Sequence, residues 1–222
     1  MKRTLRLARL VSLLLILAPA IRGAVWTIGP NSYIAGVPTD QFRYSAARQR
    51  QENWCWAASV QMVLNFHGLC VTQEQVVQRI YGQQVNQPAN NAQILTALSG
   101  WAPDACGRPS AITASPYAWD EAVVDDLAYD WPLIVGLENT DGSGHAYVLT
   151  AVQFHNETYI RGYTQRFWQG RWYSMPVYAQ RPVFDYVYLR DPWPSNVSKQ
   201  TMPYSDFKSK LMFCDRVRVI RL

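Results

Sequence analysis

Residues 54–66 (WCWAASVQMVLNF) are apolar at almost every position, interrupted only by Ser59, Gln61 and Asn65, and Gly68 follows as a helix stop. A helix that is apolar around its whole circumference is stable in water only when it is enclosed on all sides. The rest of the chain must therefore wrap around this segment as a buried central helix. Immediately before it the sequence is polar (Gln49, Arg50, Gln51, Glu52, Asn53), which suits an exposed loop. Cys55 stands where that loop gives way to the helix.

The elements around the central helix fall into two textures. Residues 25–48 are turn-rich and read as an extended lead-in. Thr72-Gln73-Glu74-Gln75 is a capping-box pattern that opens a second helix ending at Gly82. Asn90 or Asn91 caps a third, running through Ile94 and Leu98 to Gly100. Ser115-Pro116 reads as a cap and first helical position of a fourth, with Asp120, Glu121, Asp125 and Asp126 along it. After Pro132 the pattern becomes strand-like, over residues 133–137, 146–154, 159–167, 172–178 and 183–189, with turns such as Gln169-Gly170 between. A short helix over 205–211 and a strand over 216–220 follow. Helices first and strands afterwards predict an α+β fold with segregated elements. The expected organisation is one domain over residues 25–222: a helical N-terminal lobe with the central helix (about 49–131) and a β-rich C-terminal lobe (about 132–222).

The first residues carry a different message. Lys2, Arg3, Arg6 and Arg9 precede an apolar run, residues 10–17, that is too short to span a bilayer, and Ala18-Pro19-Ala20 offers a small-residue cleavage site. Residues 1–20 are expected to be a signal peptide, with cleavage as late as residue 24, and the protein to be secreted or periplasmic. Those four cations supply most of the formal net charge of +5 and leave +1 without them. Nucleic-acid binding thus has no electrostatic warrant, and without a further long apolar run no membrane contact is expected after cleavage. Cys55, Cys70, Cys106 and Cys214 include no CxxC pair and no histidine at ligand spacing, which argues against zinc. With Cys55 reserved for chemistry, one disulfide among Cys70, Cys106 and Cys214 is expected in an exported chain.

A nucleophilic thiol needs a lowered pKa, a base and access to substrate. Cys55 is in the first turn of a helix, where the backbone dipole and unpaired N–H groups favour thiolate. The string from Gln49 to Ser59, with a glutamine six residues before an aromatic-flanked cysteine that opens the central helix, resembles the active-site segment of papain-like cysteine peptidases. It looks most like a bacterial branch related to effector proteases and to peptidases that process bacteriocin leaders. The resemblance implies a papain-like fold, a nucleophile at Cys55 and an oxyanion donor at Gln49, with Gln51 as the alternative.

The base is narrowed by geometry. His67 is twelve residues along the same helix, about 18 Å from Cys55 at 1.5 Å per residue, and is out of reach. His155 reads as an exposed turn residue. His145 follows Gly142-Ser143-Gly144 and starts an apolar strand, so its ring sits on a rigid element. The resembled family also has its histidine at such a strand start, followed by an Asn or Asp at the end of the next strand. Asp191 is the candidate orienting group, with Asp185 as its rival. The reading is a cysteine endopeptidase acting on a protein or peptide substrate as a monomer, with no metal or organic cofactor. An acyltransferase, a transglutaminase-like enzyme, a deamidase or an inactive peptide-binding module would use the same cleft.

Overall fold

The computed structural model describes residues 24–101, 106–195 and 199–221. The expected signal segment lies outside them. Central helix α2 (Cys55–Phe66) forms as its composition demands, and Trp56, Ala57, Ala58, Val60, Met62, Val63 and Leu64 are all buried. Helix α3 (Gln73–Tyr81) starts at a capping box between Thr72 and Gln75 and ends at Gly82, whose φ of 71° is left-handed. Helix α4 (Asn91–Leu98) starts at a second capping box, between Asn90 and Gln93. In both, two otherwise unpaired backbone donors are satisfied by local side chains, so contiguous residues suffice to start the helix.

These helices lie on one face of an antiparallel sheet. Its strands are β1 (Ala24–Gly29), β2 (Ser32–Gly36), β3 (Ser110–Pro116), β4 (Leu133–Glu138), β5 (Gly144–Trp168), β6 (Arg171–Arg190), β7 (Gln200–Pro203) and β8 (Leu211–Arg221). The main path runs β1-β2-β5-β4-β8-β3, and β6 pairs with both β5 and β7. Side-chain alternation divides the apolar residues between two cores. Ile134, Ala146, Val148 and Val217 face α2, α3 and α4. Leu133, Val135, Leu149, Val152, Val187 and Leu189 face the other way, onto α5 (Val123–Ala128) and α6 (Tyr204–Lys210) through Val123, Leu127 and Phe207. A sheet covered on both faces explains why β4 carries no polar side chain from Leu133 to Leu137.

Three expectations need correction. The N-terminal half is not a separate helical lobe, because β1, β2 and β3 come from it and enter the same sheet as the later strands. Ser115-Pro116 does not open a helix: it ends β3, where Pro116 pairs with Asp215, and α5 begins only at Val123. β3 is the end of the sheet path, where a proline without an N–H is tolerated. The four strands expected between residues 146 and 189 are two long ones. Beyond Phe154 and Phe184, β5 and β6 leave the body as a two-stranded arm, paired from Asn156 with Pro182 to Trp168 with Arg171. Its turn, Gln169-Gly170, has φ of 46° and 77°, the positive pair that a tight two-residue hairpin requires.

Candidate active site

Three elements bring their side chains to one place. Cys55 is the first residue of α2, with Trp54 as an N-cap that makes no side-chain cap hydrogen bond, so the helix presents open N–H groups there. His145 is the second residue of β5, opposite Leu137 of β4. Asp191 directly follows β6, which runs antiparallel to β5, so the end of β6 returns to the start of β5. The arm between them leaves and returns in register. A separation of 46 residues therefore closes to 2.9 Å between His145 Nε2 and Asp191 Oδ1.

Asp191 is buried and held by further donors: the Trp193 N–H gives 2.8 Å to Oδ1, and Gln200 Nε2 gives 2.7 Å to Oδ2. The His145 ring packs edge-on against Tyr147 and Trp193, at centroid distances of 4.6 and 6.0 Å. On its other side His145 borders the same cavity as the Cys55 thiol, near enough for each to shift the other's ionisation. Burial opposes the imidazolium, but the hydrogen bonds to Asp191 and Cys55 outweigh it and raise the His145 pKa to about 9. Burial likewise opposes the Cys55 thiolate, yet the His145 hydrogen bond and charge, with the Ala146 and Trp56 N–H groups, bring its pKa below the ordinary value. Both shifts favour a thiolate–imidazolium pair.

The remaining candidates fall outside this trio. Asp185 is bound instead by His155, whose Nδ1 lies 3.0 Å from its Oδ1, at the root of the arm. His67 is the C-cap residue of α2, at the opposite end from Cys55. Gln49 is buried beside the site, and its N–H donates to Pro192 O at 2.7 Å, tying the loop before α2 to the chain just after Asp191. Its Nε2 faces the carbonyl oxygens of Gln51 and Glu52 at 3.1 and 2.7 Å. Gln51 itself is exposed. Trp54 and Trp56 are buried and donate to Val85 O and Gln87 O, pinning the 85–87 loop against the start of α2.

No disulfide joins the described cysteines, contrary to expectation. Cys214 is buried in the core under α5 and α6, whereas Cys70 and Cys106 are exposed, so the buried thiol has no partner sulfur beside it. Two residues that support the site had escaped notice. Gln200 was hidden because its only relevant contact, with Asp191, is tertiary. Gln73 stands in the sequence as part of a capping box, but it is buried and binds both the Arg50 N–H and Arg48 O, bracketing Gln49.

A cavity of about 500 Å³ opens at Cys55 and His145, walled by Trp56, Ile94, Met212 and Phe213 among others. A second, of about 260 Å³, lies on the far side of the imidazole, against Asn139 and Trp193. The arm lines neither. The described residues contain no group of three or more His, Cys, Asp or Glu placed to hold a metal.

Residues 41–213 match the Peptidase_C39 like family. No curated protein matches the chain. Among solved structures it is similar to the peptidase domain of Streptococcus ComA, a bi-functional ABC transporter involved in a quorum sensing pathway. That similarity is 16% identity with a TM-score of 0.49, covering 81% of this chain and 99% of that one.

Proposed function

Because the chain belongs to the Peptidase_C39 like family, a family of papain-like cysteine peptidases, we propose that it is an exported, monomeric endopeptidase whose nucleophile is Cys55. The observation that carries this reading is the thiol at the open end of α2, sharing a cavity with an imidazole that Asp191 holds. In the proposed reaction, the Cys55 thiolate attacks the scissile carbonyl and His145 gives its proton to the leaving amine. His145 then takes a proton from water, which attacks the thioester and releases the acid. Asp191 keeps the ring oriented and favours its charged form throughout.

The oxyanion is placed at the first turn of α2, where the Cys55 N–H is available without rearrangement. Gln49 is the proposed second donor. One N–H of its amide must leave the carbonyl oxygen of Gln51 or Glu52 to reach the oxyanion. No metal or organic cofactor enters the scheme.

The test is labelling by a peptide bearing a thiol-directed electrophile, followed by mass spectrometry of products from a peptide substrate. Labelling should vanish in Cys55→Ala. It should fall steeply in His145→Ala, where a thiol near its ordinary pKa of about 8.5 is only a few per cent ionised at neutral pH. Labelling with no cleaved product, or with a deamidated or cross-linked one, replaces the peptidase by another enzyme of the same triad. An unlabelled protein that still binds the peptide is a binding module.

A further inference from the structure

The β5–β6 arm is the feature that peptide hydrolysis leaves unexplained. At about 3.3 Å per residue, the fourteen steps from Phe154 to Trp168 carry its tip about 45 Å from the body. An isolated two-stranded hairpin is marginally stable in water. This one exposes Ile160, Tyr163, Phe167, Trp168, Trp172 and Tyr178, with Trp172 69% and Tyr163 66% accessible. A side-chain set of that kind, on an element that joins neither core of the described residues, marks a contact surface.

The register assigns residues to faces, since directly paired residues share one. Phe167, Trp172, Tyr163, Pro176, Ile160 and Tyr178 line one face, whose paired residues carry no charge; Arg161 sits in the bulge between Ile160 and Gly162. Their rings adjoin, Phe167 and Trp172 at 5.2 Å between centroids. The other face carries Trp168 with Arg171, Arg166 with Tyr173, and Met175. Between them lies a concavity of about 470 Å³ lined by Arg166, Trp168, Tyr173, Ser174 and Met175. From Thr158 to Phe184 the sequence has four arginines and no acid. Of these, Arg181 is neutralised at the root by Glu157, at 2.8 Å.

We propose that this arm inserts its tip into the surface of an anionic lipid bilayer and tethers the enzyme there. Trp and Tyr are the side chains that settle at the boundary of headgroup and acyl chain, and arginines beside them bury their stems while the guanidinium meets lipid phosphate. Beyond the Glu157–Arg181 pair at its root the arm has no acid, so nothing near the tip is repelled by an anionic surface. A second copy of the chain is a poorer occupant, because symmetric pairing of the cationic faces would oppose Arg166 and Arg171 to their own copies with no acid to meet them. The expectation of no membrane contact rests on the lack of a further long apolar run, and an amphipathic hairpin contains none. β5 runs from His145 through the body before entering the arm, so the catalytic trio lies at the opposite end of the sheet from the tether and stays open to solvent.

The experiment uses the full chain with vesicles of phosphatidylglycerol and phosphatidylcholine, or phosphatidylcholine alone. Hydrogen exchange read by mass spectrometry should show slowing over residues 158–180 only with the anionic vesicles. Because the readout is local, binding through any other segment does not mimic it. Arg166→Gln with Arg171→Gln should weaken co-sedimentation about 30-fold at 0.15 M salt, about fivefold per arginine. Trp168→Ser with Trp172→Ser should weaken it at least as much. Electrophile labelling of Cys55 should be unchanged in both, which shows that the body is intact. Unaltered exchange in the arm overturns the proposal. So does binding that ignores the tryptophans, a dimer dissolved by Trp172→Ser in light scattering, or arm protection by a single-stranded oligonucleotide that excludes the vesicles.

Discussion

At the scale of single residues, the chemistry depends on which acid reaches His145. Two histidine–aspartate pairs lie along the same two strands, His145 with Asp191 and His155 with Asp185. Only the first borders the cavity at the thiol. His145, raised from its ordinary 6.5 to about 9, remains protonated until the pH passes that value, while Cys55 is ionised from below its ordinary range. Turnover should therefore form a plateau whose alkaline limb falls near pH 9. The same sign applies to stability: the imidazolium's contribution is complete below 6.5 and is lost as the pH rises through about 9. In Asp191→Ala the alkaline limb should move down, because the hydrogen bond and charge that hold the proton are gone. Asp191→Asn should keep much of the turnover by accepting the ring N–H, and Asp185→Ala should leave the profile in place. A profile displaced by Asp185→Ala and not by Asp191→Ala reverses the assignment.

At the scale of elements, the wall of the cleft depends on one close approach. Gly136 of β4 sits opposite Phe213 of β8, and a Cβ there would stand 2.1 Å from Phe213 Cε1. Both residues line the cavity at Cys55. Gly136→Ala should cost about 1–3 kcal/mol through overpacking, seen as a lowered denaturation midpoint. It should also slow labelling of Cys55 by a peptide electrophile more than labelling by a small one, as Phe213 is pushed into the cavity. Equal effects on the two probes would mean that the ring relaxes away from the cleft. The loop before α2 shows the opposite strategy, with buried amides of Gln49 and Gln73 fixing backbone that no sheet pairing supports.

At the scale of the whole molecule, body and arm are separable. The two cores are built from residues of the sheet body, the helices and the loops beside them, and no residue between Glu157 and Pro182 belongs to either. Replacing residues 159–179 by Asn-Gly, between the paired Thr158 and Gln180, should leave a sound two-residue hairpin. The melting temperature should shift by no more than about 2 °C, as for other surface changes of about 0.5 kcal/mol. Turnover of a short peptide should be retained. A tenfold loss of turnover would bring the arm into the catalytic unit.

The sequence by itself determined what contiguous residues encode. The extent of α2, the capping box at Thr72, the place of Cys55 in the first turn of α2 and the strand start at His145 all follow from local pattern and helix rise. The choice between Asp191 and Asp185 was left open there, and only the tertiary structure decided which of them meets His145. Antiparallel register determines which strand residue meets which, and it operates over 46 residues through an arm whose length does not matter as long as it returns in phase. The same reason covers Gln200, the missing disulfide and the single sheet that replaced two lobes. Each depends on partners distant in the chain, and no local propensity specifies which of several compatible partners a strand will find.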